Sequence, residues 1–151
     1  MNMRFRLDFA NKQIDQDGLP IGQFAPLNPT QGEVALNGLA LKYRIETQSY
    51  GCTISLYQGA KQIALRTYDA HDGIHSVRIG TDTAFDLNNA VLYCPEGRAG
   101  RVHFSEKEIT MDFNSLVRED IVSIVALLVA VDTMWANLVG FTRARARPRA
   151  R

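Results

Sequence analysis

Polar and apolar residues alternate along most of this chain with a period of two, the spacing of a strand with one wet face. Met3–Phe9 is the clearest case. Met3, Phe5, Leu7 and Phe9 fall on one face, and Arg4, Arg6 and Asp8 on the other. Similar short runs follow at Gln13–Asp15, Leu19–Phe24, Glu33–Leu36, Ala40–Glu46, Thr53–Gln58, Lys61–Tyr68, His75–Ile79, Thr83–Leu87, Ala90–Cys94, Arg101–Phe104 and Glu108–Phe113. Turn residues separate them: Asp17-Gly18, Asn37-Gly38, Tyr50-Gly51, Gln58-Gly59, Asp72-Gly73 and Asn88-Asn89. Residues 25–32, which hold two prolines, and Pro95–Gly100 are expected to be loops. Evenly spaced short strands with such punctuation predict an antiparallel sandwich or barrel. No helical pattern interrupts them, which argues against an α/β fold.

The rhythm changes at Ile121–Phe141, IVSIVALLVAVDTMWANLVGF, which is apolar on almost every side. A helix of that kind is buried in protein or in lipid. At about 1.5 Å per residue it would reach roughly 31 Å, enough to thread a small barrel or to cross a bilayer. Three features favour the barrel. Asp132 lies mid-segment, where a carboxylate facing lipid is costly. Ser123, Thr133 and Asn137 add polarity, so the helix is expected to be dry along its first three turns and to meet polar groups near its exit. An arginine-rich tail also resists translocation. The expected helix spans 117–140, capped by Asn114 or Ser115 and stopped at Gly140, with Asp132 as a structural polar residue holding it in register at the barrel mouth. The alternative is a tail-anchored protein with 121–141 as its span and Trp135 beside the interface.

Charge divides the chain. The net charge is +1, but Arg143, Arg145, Arg147, Arg149 and Arg151 occupy the last nine positions, so residues 1–142 carry −4 once those five are set aside. The expected organisation is a single barrel-like domain over 1–142 and a disordered arginine-rich tail over 143–151. Arginine pairs phosphates bidentately, so these five residues are candidate contacts for anionic phospholipid or another polyanion. The mildly acidic body does not point to nucleic acid. The N-terminus shows no secretory pattern, which together with two cysteines far apart, Cys52 and Cys94, suggests reduced thiols in a cytoplasmic protein.

Candidate chemistry is sparse. His71 and His75, with Asp69 and Asp72, form the richest polar cluster. A spacing of four converges on a helix, whereas Asp72-Gly73 marks a turn, so solvated hairpin residues are expected here rather than metal ligands. Neither cysteine has a nearby histidine, and no nucleophile elbow, P-loop or dinucleotide fingerprint occurs. Nothing in the sequence asks for a cofactor.

Several stretches together resemble the tubby C-terminal-like superfamily, which includes phospholipid scramblases and LURP-one-related proteins. Ile14–Gly22 resembles its strand–D-x-x-G–strand hairpins, and Ile54–Ala64 its repeated pair of apolar strands about a glycine turn. Arg98–Phe104 with Glu108–Phe113 resembles its final hairpin, and Asp120–Trp135 its central helix. The resemblance covers about residues 3–140. It implies a mainly β fold, an antiparallel meander forming a barrel or curved sheet around one C-terminal hydrophobic helix. The chain is short for that family's twelve strands, which leaves a reduced or partly open barrel as the expectation. Function by this resemblance is a non-catalytic intracellular module that binds lipid or a protein partner, with peripheral membrane contact. A small-ligand-binding or enzymatic barrel is the further alternative.

Overall fold

The computed structural model describes residues 2–28, 30–49, 51–69, 71, 74–80 and 83–131. Asp132, Trp135, Asn137, Gly140 and the five tail arginines lie outside the described residues. Twelve strands follow one another: β1 (Met3–Asp8), β2 (Gln13–Gln16), β3 (Leu19–Asn28), β4 (Gln31–Leu36), β5 (Leu39–Gln48), β6 (Gly51–Gln58), β7 (Lys61–Asp69), β8 (Ile74–Ile79), β9 (Thr83–Asn88), β10 (Val91–Cys94), β11 (Gly97–Phe104) and β12 (Glu108–Phe113). Each pairs antiparallel with its sequence neighbours, and β1 pairs with β12 from Met3↔Phe113 to Asp8↔Glu108. The barrel is therefore fully closed. The expected reduced or partly open form is corrected: strands of four to ten residues accommodate all twelve in a short chain.

Hairpin chemistry sets the registers. At Asp17-Gly18 and Asn37-Gly38 both central residues have positive φ, as the tight turns matching strand twist require. The β1–β2 turn is held by Asp8, whose carboxylate accepts from the backbone amides of Ala10 and Asn11 and from the Asn11 side chain. The Asn11 backbone and side-chain hydrogen bonds, then the Ala10 amide and the Arg6 charge, hold this carboxyl below its ordinary range.

Two segments expected as loops are strands. β3 runs through Pro26 to Asn28, and β11 begins at Gly97. Pro26 borders a register shift between Pro26 and Asn28, and Pro20 sits opposite the irregularity between Ile14 and Asp15. Bulges are where a strand tolerates a residue that cannot donate to the ladder.

The helix α1 occupies 122–131 of the described residues and starts later than the expected position 117. Asn114 caps a turn instead: its Oδ1 accepts from the Leu116 amide and its backbone carbonyl from the Val117 amide. The chain needs these turns to swing from the wall into the barrel axis. Once inside, α1 is buried at every described position except the half-buried Ile124, with Val125, Leu128, Ala130 and Val131 at 0% exposure. Inward side chains of the wall, among them Phe5, Leu7, Ile54, Leu56, Val77, Leu92, Met111 and Phe113, complete one continuous core. Among the described residues no helix is long and apolar enough to cross a membrane.

Because Leu128 is fully enclosed, Leu128→Ala is expected to lower unfolding free energy by about 2–5 kcal/mol. Urea denaturation measures this, and a loss below about 1 kcal/mol would contradict the threaded arrangement.

Candidate functional site

Among the described residues, polar chemistry gathers inside the barrel wall and on its outer face. Inside, Arg66 on β7 is only 4% exposed. Its strand alternates so that Ala64 and Arg66 face inward while Ile63 and Leu65 are left half-exposed. Arg66 Nη1 donates to the carbonyls of Leu128 (3.1 Å) and Val129 (2.9 Å) on α1. Each carbonyl has two lone pairs, so a guanidinium can bond it alongside the helical ladder. Arg66 Nε donates to His75 Nδ1 at 3.1 Å. Since arginine only donates, Nδ1 is the acceptor in this bond. The His75 ring stacks on Tyr68, with centroids 4.3 Å apart and planes 26° from parallel.

This corrects the expectation for His75, which is a half-buried wall residue bonded to Arg66 rather than a solvated hairpin residue. His71 is exposed, and its backbone amide donates to Asp69 Oδ1 at 2.8 Å. Cys52 lies opposite Tyr68, which lies opposite His75, so two strand spacings, roughly 10 Å, separate Cys52 from His75. Both cysteines are half-buried, and Cys94 Sγ donates to the Gly97 carbonyl. No group of three His, Cys, Asp or Glu that could hold a metal occurs among the described residues.

At the opposite end of α1, Asn37 Nδ2 donates to Ser123 Oγ at 3.3 Å. The helix is thus not dry over its first three turns, as the sequence suggested. The wall carries polar groups to it, and their strand register, not the helix sequence, brings them there.

Outside, a groove of about 390 Å³ crosses β4–β6 and is lined by Leu27, Gln31, Lys42, Arg44, Tyr57 and Gly59, among others. On β5, Leu41, Tyr43 and Ile45 face inward, so Lys42 and Arg44 face out. Their cross-strand neighbours are Tyr57 and Ser55 on one side and Glu33 and Gln31 on the other. Leu27, unpaired at the β3 bulge, is 62% exposed beside them. No ion pair joins Glu33 to Lys42 among the described residues. Sequence alternation already assigns Lys42 and Arg44 to the wet face; their grouping with Leu27 and Tyr57 needs strand order and register. Tyr43 also borders the groove, but its ring lies inward over Gly32, where any side chain would collide with it. Burial pushes the Tyr43 phenol up to about 12. A smaller cavity of about 330 Å³ lies where the chain turns into the barrel, lined by Cys94, Glu96, Leu116, Arg118 and Ile121.

Arg66→Ala is expected to destabilise the fold by about 3–5 kcal/mol, since it removes a buried hydrogen-bonded charge and leaves a cavity. Arg66→Met keeps much of the volume, and thermal or urea unfolding of the two separates lost packing from lost hydrogen bonds. Tyr43 gives a pH signature. Its folded value exceeds the ordinary phenol value near 10, so the unfolded chain ionises first and stability falls as pH rises from about 10 to about 12. The loss is about 1.4 kcal/mol per pH unit. Tyr43→Phe should lack that component in urea unfolding followed across this range; equal alkaline slopes for both proteins would contradict it.

No family model, curated protein or solved structure matches this chain.

Proposed function

We propose that this chain is a non-catalytic binding module of tubby-like barrel type, whose outer groove takes the anionic head group of a phospholipid. The observation that carries this reading is the meeting of Lys42 and Arg44 with exposed Leu27 and half-buried Tyr57 in one groove. Two cations attract a phosphate or carboxylate. Adjacent apolar surface suits the glycerol and first methylenes of a lipid, and convergent polar groups in an apolar setting are what a ligand site needs. Among the described residues, α1 and the inward wall side chains form one packed core along the axis. The module would act at the cytoplasmic face of a membrane, in peripheral contact.

A short-chain anionic phospholipid kept below its micelle concentration tests this directly. Saturable binding by calorimetry or amide chemical shifts is expected, with shifts confined to β3–β6. Lys42→Ala with Arg44→Ala should weaken it about thirty-fold, since each basic residue near an anionic lipid is worth about 1 kcal/mol. Equal binding of a zwitterionic lipid, or no effect of the double substitution, would refute the assignment.

A further inference from the structure

Lys42 and Arg44 have company outside the groove. Lys61 opens β7 at the β6–β7 turn, next to the groove residues Gly59 and Ala60. Arg78 is exposed on β8. Register places Arg44, Ser55, Leu65 and Arg78 in one row across β5, β6, β7 and β8. At about 4.8 Å per strand the row is roughly 14 Å wide. Lys42 and Tyr57 form the adjoining row. No ion pair engages Lys42, Arg44, Lys61 or Arg78 among the described residues, whereas Arg4, Arg6 and Arg118 each pair with a carboxylate. Glu33 stands opposite Lys42, and Glu46 and Asp86 border the patch toward the other end of the barrel. Four cations therefore collect on one half of one face, on a body whose residues 1–142 sum to −4.

We infer that the outer face of β5–β8 is a docking surface for an anionic bilayer, with the groove at its edge. Lys42 and Arg44, two residues apart on β5, lie within the physiological Debye length of about 8 Å and act jointly on a charged plane, and Arg78, roughly 14 Å from Arg44, extends the patch, although the body as a whole is acidic. Half-buried Leu65 and Tyr57 between the cations, with Leu27 at the margin, give apolar contact at the head-group level. This composition favours a lipid surface over nucleic acid, whose sites interleave cations with stacked aromatic rings. The barrel would lie on its side, with the strands roughly parallel to the membrane plane. The inference rests on the groove reading for its lipid chemistry, but its own residues, Lys61 and Arg78, do not line the groove.

The test uses the full chain with phosphatidylserine/phosphatidylcholine vesicles and with phosphatidylcholine alone, by flotation at physiological salt. Binding is expected only to the anionic vesicles, and it should vanish near 1 M salt, where the Debye length is roughly 3 Å. Lys61→Glu with Arg78→Glu should weaken vesicle binding at least about thirty-fold. The same variant should keep its melting temperature and its affinity for the soluble short-chain lipid. Vesicle binding lost with soluble-lipid binding kept supports the docking face. Vesicle binding sensitive to Lys61 and Arg78 in a protein that never binds the soluble lipid supports the face and refutes the groove. Vesicle binding indifferent to the charge reversals, or binding to duplex DNA or RNA in preference to vesicles, overturns the inference.

Discussion

A closed twelve-stranded antiparallel barrel has an interior that its own side chains cannot fill. With strands about 4.8 Å apart and tilted by roughly 40°, its backbone diameter is about 24 Å. Packing layers sit about 10 Å apart, so side chains projecting from opposite walls leave an axial space about the width of one helix. The segment 122–131 occupies that space and is apolar on all sides because it meets wall in every direction. Neither part is independent of the other. Without the helix the wall encloses a void, and without the wall the helix has no aqueous face to present.

An all-round apolar cylinder in an apolar tube lacks intrinsic register, because hydrophobic contact is non-directional. Directional bonds supply it. Asn37 reaches Ser123 near the start of the helix, and Arg66 reaches the Leu128 and Val129 carbonyls further along. Burying a guanidinium costs several kcal/mol unless its donors are satisfied. The Leu128 and Val129 carbonyls and the His75 imidazole accept from Arg66, which ties β7 to one depth of helix insertion. The seam between β1 and β12 carries its own directional pairs, Arg4–Asp112 and Arg6–Glu108. These are solvent-exposed, so each adds little stability.

Among the described residues, the helix also fills the stretch of barrel axis that it threads. A barrel that holds a ligand on its axis needs empty space there, and here the space belongs to the helix. On the outer face, alternation along each strand sets out polar side chains and cross-strand register decides which of them become neighbours. The bulge that leaves Leu27 unpaired and the row that joins Arg44 to Arg78 both arise from register.

The sequence by itself determined the mainly β architecture, because periods of two and turn residues such as Asp17-Gly18 and Asn37-Gly38 are local properties of the backbone. It marked an all-round apolar helical segment after the strands, whose enclosure by protein rather than lipid the tertiary structure decided for 122–131. It also determined which face of β1 or β5 is wet. It misjudged β3 and β11, since Pro26 and Gly97–Gly100 look like breakers until pairing with β4 and β10 fixes a bulge in each, at Leu27 and at Ala99. It misjudged the start of the helix, because 117–121 is helix-compatible locally while the turn into the barrel is imposed by β12. Only the tertiary structure decided that Arg66 faces inward. Ile63 and Leu65 are the apolar residues of that alternation, and local pattern would bury them instead. Pairing with β6, where Ile54 and Leu56 face the core opposite Arg66 and Ala64, reverses that preference. The candidate sites were invisible for the same reason: Arg66 and His75, or Lys42, Tyr57 and Arg78, become neighbours only once the barrel closes and fixes every register at once.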